Sequence, residues 1–366
     1  MLCSFTYKKD EPFGKLFDDW KASNGSIDAH EAIVAALDGA DSAKYGAFKT
    51  GSVASKYDYR SQVIKKNLKF QVLMLYALHE VEAAVEKYKA KKPEADYQYA
   101  LDEWWVFYTG SLETGATDGY GSYILAEKRS KFFGTDNAPG SCAKSMVNHK
   151  LLKASQELQT LFATQSPAND AKIDTTVTCM RGLLIVPLIQ GCIQYGYKTD
   201  TSTAYPGQNS AARKGELYSF CQGVLPFLHA ANPAAAATLK AEIDIVGNDA
   251  KNPSFATIKG VFTAANLNKM GVSCKDIGAF VDKSADKTSA TTLGSDFTMC
   301  TDGTISNADA DTSKCDAKFA TGTSTCRSGG SSSNSSSDAG RISMSLAGIF
   351  SSFLLSLSLA RVAGAA

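Results

Sequence analysis

The sequence is poor in the features that mark an enzyme. It holds four histidines in 366 residues, and His30, His149 and His229 are isolated, so none is read as a ligand. There is no Gly-x-Ser-x-Gly elbow, no P-loop and no dinucleotide fingerprint. A zinc-protease helix is excluded because His79-Glu80 lacks a second His four residues on. A di-iron carboxylate bundle needs Glu-x-x-His on two helices; here the order is reversed, His79-x-x-Glu82. Charge of one sign is also missing. The 38 basic and 37 acidic residues leave a net +1, and no Lys/Arg block offers a footprint for nucleic acid. Strand signals are few, and alternations such as Ile243 to Val246 are flanked by helix formers.

What is present points to a mostly α protein. The length suits about two domains at roughly 150 residues each. Nine cysteines without a CxxC pair or zinc spacing read as disulfide chemistry in an oxidising compartment. Cys274, Cys300, Cys315 and Cys326 suggest a stapled, loop-rich segment. The odd count leaves one thiol over, with Cys3 a candidate. Near the other end, Gly329 to Arg341 is a Ser-rich spacer, and Ile342 to Ala360 follows without a charge. Small residues, a polar spacer and a hydrophobic tail match a glycolipid-anchor signal, with a single transmembrane helix as the alternative. The expected location is the outer face of the plasma membrane or a periplasmic space. Met1 to Pro12 does not read as a signal peptide, so a longer start is expected. Asn24-Gly25-Ser26 is a glycosylation acceptor in a secreted chain.

The stretch Tyr59–Leu112 predicts two helices broken at Lys92-Pro93. On the first, Leu68, Val72, Leu75, His79, Glu82 and Glu86 recur at helical spacing, which predicts a face that begins as core and ends as ionisable groups. Ser26 to Leu37, Ser122 to Phe133 (stopped by Gly134), Met146 to Ala163 and Val177 to Ile193 also read as helices, the last kinked or shortened by Pro187. Glu103, Phe107, Gly110 and Leu112 recur as Glu216, Phe220, Gly223 and Leu225, a step of 113 residues. The expected architecture is therefore two divergent helical-bundle repeats, 1–144 and 145–273. A Cys-containing irregular segment, 274–328, and the spacer with its anchor signal, 329–366, complete it.

The candidate metal ligands are His79, Glu82, Glu103, Tyr108, Tyr123 and Glu127, with Glu86 and Tyr120 at the margins. Oxygen-rich donors with one imidazole suit hard or borderline iron, above all Fe(III) with phenolates. Solvated carboxylates paired with Lys87 and Lys89 are the competing reading of Glu82 and Glu86. Arg129, close in sequence to tyrosines and carboxylates, is the candidate for holding a small oxyanion by bidentate hydrogen bonds; a surface ion pair with Glu127 or a neighbour is the alternative. Trp104 and Trp105 face different ways, so at least one is core.

Asp102-Glu-Trp-Trp-Val-Phe-Tyr-Thr-Gly-Ser-Leu112, Gly119-Tyr-Gly-Ser-Tyr-Ile-Leu-Ala-Glu-Lys-Arg129, the duplication and the tail together resemble the algal low-iron-induced surface proteins, or phytotransferrins. The resemblance spans roughly residues 25–270. It implies ferric iron capture at the cell surface with carbonate as the co-bound anion, followed by uptake: binding, not catalysis. Two other readings are an imelysin-like helical metal-binding protein, weakened by Ala77 where that family has Gly, and a metal-free surface structural or adhesion protein.

Overall fold

The computed structural model describes residues 12–24, 29–38, 56–110, 119–139, 144–202, 210–244, 252–282 and 291–292. Among these the protein is mostly helical. The N-terminal tail, most of the Cys-rich segment, and the spacer and hydrophobic tail lie outside the described residues, as does Ser26.

Helices α1 (Pro12–Asn24) and α2 (Ala29–Asp38) precede a long helical run. That run is α3 (Tyr57–Lys66), a π-helical turn (Asn67–Val72) and α4 (Leu73–Lys89). Pro93, which has no N–H to donate, stands at the N-cap of α5 (Glu94–Thr109), so the break falls where the sequence predicts it. The buried face of α4 is not the predicted one. Met74, Ala77, Leu78, Val81, Ala84 and Tyr88 form the core stripe, whereas Leu68 is 41% exposed and Leu75 and His79 are half-buried. Almost every residue from Phe70 to Leu78 is apolar, so two adjacent stripes share the same period and spacing alone cannot choose between them.

Gly110 ends α5 with φ 59°, a conformation that favours glycine. A Cβ there would lie 1.9 Å from the carbonyl oxygen of Tyr120, and Gly121, at φ 126°, sits against the same point. α6 (Ser122–Phe133) then ends on left-handed Gly134, and α7 spans Met146–Ala163.

α8 (Asp170–Thr199) is 30 residues long and passes through Pro187 without ending, longer than the Val177–Ile193 expected. From Leu183 to Tyr197 every residue is buried. Packing on all sides holds the helix together across the missing proline N–H. The span Pro167–Thr199 is long and apolar enough to cross a membrane, but 89% of its most apolar window is inside the fold, as in a core helix. α9 (Ala211–Ala231) packs on α8 and on α3; α10 (Pro233–Ile243) packs on α9. The buried Cys192–Cys221 disulfide joins α8 to α9, with Cα atoms 4.7 Å apart. Cys179 and Cys274 are disulfide-bonded as well.

Three short helices close the body: α11 (Phe255–Gly260), α12 (Ala264–Lys269) and α13 (Cys274–Ile277). Asp276 accepts a 2.6 Å hydrogen bond from Lys150 of α7, both side chains being about 5% exposed. Gln190 donates to the Ile277 carbonyl, and the Ala279 amide donates to that of Phe133. The start of the predicted Cys-rich segment is thus woven into the helical body and does not mark a break at 273. β1 (Val281–Asp282) pairs antiparallel with β2 (Thr291–Thr292).

Candidate functional site

The predicted ligands do not converge on one point. Glu103 and Tyr108 lie five residues apart on α5, so at 100° per residue they face about 140° apart. Glu103 turns toward α4. Tyr108 turns into the body toward α6 and α7.

On the α4 side, Glu103 meets Glu80, and the two carboxyls are joined by a hydrogen bond. Burial, followed by the charge of Glu103, raises the Glu80 pKa to about 7, against weaker opposition from His79 and Lys87. Glu80 is therefore about half protonated at neutral pH. His79 Nε2 is 4.0 Å from Glu80 Oε1. Tyr76, one turn before Glu80, hydrogen-bonds to it and has its own pKa raised by burial and then by the two carboxylates. The Tyr76 ring lies 5.6 Å from that of His79 and 4.2 Å from that of Phe107. One phenol, one imidazole and two carboxyls thus meet between α4 and α5. The sequence reading named His79 and Glu103 but missed Tyr76 and Glu80. The signal was there: Tyr76 and Glu80 are an i, i+4 pair beside His79.

Glu82 does not join this group. Buried at 7% exposure, it receives Arg181 Nε of α8 at 2.6 Å and pairs with that guanidinium's Nη2 at 2.5 Å. Its role in the fold is to tie α4 to α8, and Arg181 gave no sequence signal at a separation of 99 residues.

On the other side of α5, Tyr108 and Tyr123 come together, with ring centroids 6.1 Å apart. The Tyr108 hydroxyl donates to Asn148 Oδ1. Its pKa is driven well above the ordinary phenol value by complete burial, then by Tyr123 and Glu127. Burial, followed by Glu127, pushes Tyr123 up to about 12. Glu127 is occupied as a cap for α7. Its Oε1 accepts from the Lys144 and Ser145 amides, both at 3.1 Å, and from Asn148 Nδ2 at 2.7 Å. A negative charge at the start of α7 also complements the helix dipole. Here a Tyr-Tyr-Glu set has come together, with the Tyr108 hydroxyl and Glu127 Oε1 already hydrogen-bonded within the fold.

Arg129 lies away from both groups. It sits on the far side of α6 from Tyr123 and Glu127, buried at 7% exposure. It donates to Gln194 Oε1 and hydrogen-bonds to Tyr195, both on α8. It is not the surface ion pair with Glu127 that was the competing reading. Trp104 is fully buried and donates to Ser155 Oγ at 2.9 Å, which makes it the core member of the tryptophan pair. Among the described residues, no three His, Cys, Asp or Glu side chains are placed to hold a metal ion by themselves, so any such site needs a phenol or a ring rotation to complete it. Compared with known proteins, the chain matches no family model, no curated protein and no solved structure.

Proposed function

We propose that this protein captures ferric iron outside the cell, with carbonate as the co-bound anion, and that it binds iron without acting as an enzyme. The observation that carries the reading is the Glu80–Glu103 contact. A buried carboxyl meets a half-buried one, and Glu80 titrates near 7 because burial and the Glu103 charge outweigh His79 and Lys87. A trivalent cation would displace the shared proton and relieve the repulsion. Tyr76 supplies the phenolate that Fe(III) favours over softer ligands. The half-buried His79 supplies nitrogen once its ring turns inward, and carbonate fills positions these side chains leave. Oxidised cysteines in the body agree with an extracellular setting, and the Ser-rich spacer and apolar tail with an anchor there. The resemblance of Asp102–Leu112 and Gly119–Arg129 to the low-iron-induced surface proteins supports the same reading.

A visible titration of the full chain with chelated Fe(III), with and without bicarbonate, tests it. A phenolate-to-iron charge-transfer band is expected, stronger with bicarbonate and lost in Tyr76→Phe. Glu80→Gln should weaken binding by at least about tenfold, the scale of one lost charged ligand. Acidification below about pH 7 should loosen the ion as Glu80 takes up its proton and carbonate is lost. A band that survives Tyr76→Phe but vanishes in Tyr108→Phe would move the site across α5. No band in either buffer would end the iron reading. One observation favours a metal-free structural role instead: Glu82 and Glu127 each tie helices together, through Arg181 and through Asn148.

A further inference from the structure

Tyr195 of α8 and Phe220 of α9 stack face to face, with centroids 5.4 Å apart and planes 13° from parallel. Four cations surround this aromatic pair. Arg129 of α6 lies 5.2 Å from the Tyr195 ring and 5.0 Å from the Phe220 ring. Arg213 of α9 is 5.6 Å from Tyr195, Lys198 of α8 is 5.4 Å from it, and Lys66 of α3 is 6.0 Å from Phe220. One described carboxylate lies among them, Glu216, and both its oxygens are taken: Oε1 by Lys66 at 2.8 Å and Oε2 by Arg213 at 2.9 Å.

Arg129 is the unbalanced member. Among the described residues no carboxylate pairs with it. Its hydrogen bonds go to the neutral groups Gln194 and Tyr195. Its Nε–H is buried and has no acceptor. A guanidinium sealed from water without a counter-charge is costly, and a buried donor left unmet adds to the cost. Cation–π contact with two rings offsets only part of this. An anion with several oxygens would meet the remaining need, because guanidinium presents donors in a planar fork that oxyanions accept in pairs.

We propose that the Arg129–Arg213 side of the Tyr195–Phe220 stack binds a small dianionic oxyanion of the phosphate type, either free phosphate or a phosphomonoester. Tyr195, hydrogen-bonded to both guanidinium groups, holds them beside one another. Lys198 and Lys66 add longer-range attraction. This site lies on the opposite side of α6 from Tyr123 and Glu127 and does not depend on iron.

The experiment uses the full chain without metal. Inorganic phosphate, glycerol phosphate and bicarbonate are each titrated calorimetrically, and thermal unfolding is followed in parallel, against chloride at matched ionic strength. Phosphate binding and an upward Tm shift are expected, with glycerol phosphate separating a free-ion site from a monoester site. Arg129→Gln should weaken phosphate binding by about tenfold or more. Arg213→Lys, which keeps the charge but loses the fork, should weaken it less, and it still reports if Arg129→Gln fails to fold. Arg181→Gln, at the Glu82 pair, should leave binding unchanged. Binding of bicarbonate alone, a phosphate response no greater than that of chloride, or unchanged affinity in both Arg129→Gln and Arg213→Lys would overturn the proposal.

Discussion

Glu103 of α5 and Glu216 of α9 lie 113 residues apart in the sequence, and their surroundings are electrostatic opposites. Glu103 faces another carboxyl, and the partner's pKa rises to about 7. Glu216 is held between Lys66 and Arg213; burial works to raise its pKa, but the two cations outweigh burial and bring it below the ordinary value. The same residue type thus adds to negative charge at one place and is met by two cations at the other. The long helices α3–α4 and α8 also begin 113 residues apart, at Tyr57 and Asp170. The helices that carry the two glutamates do not keep that step: α5 begins at Glu94 and α9 at Ala211. The aligned glycines part company as well: Gly110 ends α5, while Gly223 lies within α9.

The largest contrast should come from the long helices. Ile189 of α8 is fully buried, and Ile189→Ala should cost about 3–4 kcal/mol in chemical denaturation. Leu75 of α4 is half-buried, and Leu75→Ala should cost only about 1 kcal/mol; equal losses would erase the distinction between the helices. Next in size is Glu216→Gln. It leaves Lys66 and Arg213 without their carboxylate and should destabilise by about 2 kcal/mol at pH 7, below the full cost of breaking a buried pair because both cations are partly exposed. Its lowered pKa means this stabilisation is present above about pH 4.5 and fades as pH falls through the folded value. The smallest effect has the opposite sign. Glu80 has a raised pKa, so its contribution is complete below about pH 4.5 and is lost as pH rises through about 7. Glu80→Gln should therefore stabilise the metal-free protein by about 1 kcal/mol at pH 8, discounted for solvent screening, and by almost nothing at pH 5. A Tm series across pH on both variants gives the two slopes; slopes of one sign would refute the comparison.

Local signals carried much of the fold. Gly134 stops α6, Pro93 separates α4 from α5, and the periodicity from Met146 to Ala163 matches α7 residue for residue. Long-range choices were hidden. Which of two apolar stripes on α4 faces inward depends on α5 and α8, not on α4 itself. The Cys192–Cys221 bridge joins residues of ordinary helical sequence, and no spacing rule distinguishes them from the other cysteines. At the candidate sites the residue types were legible but the groupings were not. His79 and Glu103 were found without Tyr76 and Glu80. Arg129 was read beside Glu127, although the turn of α6 sends the two toward different neighbours.

The paired glycines at the end of α5 also matter for engineering. Gly110 and Gly121 bring the chain back to the point it left, so a segment of any length inserted between positions 110 and 120 begins and ends at one closed neck. Lengthening such a segment costs only the slowly growing entropy of loop closure, roughly 0.6 kcal/mol per doubling. That makes this neck a port for an epitope tag or a fluorescent reporter that leaves α5 and α6 in register.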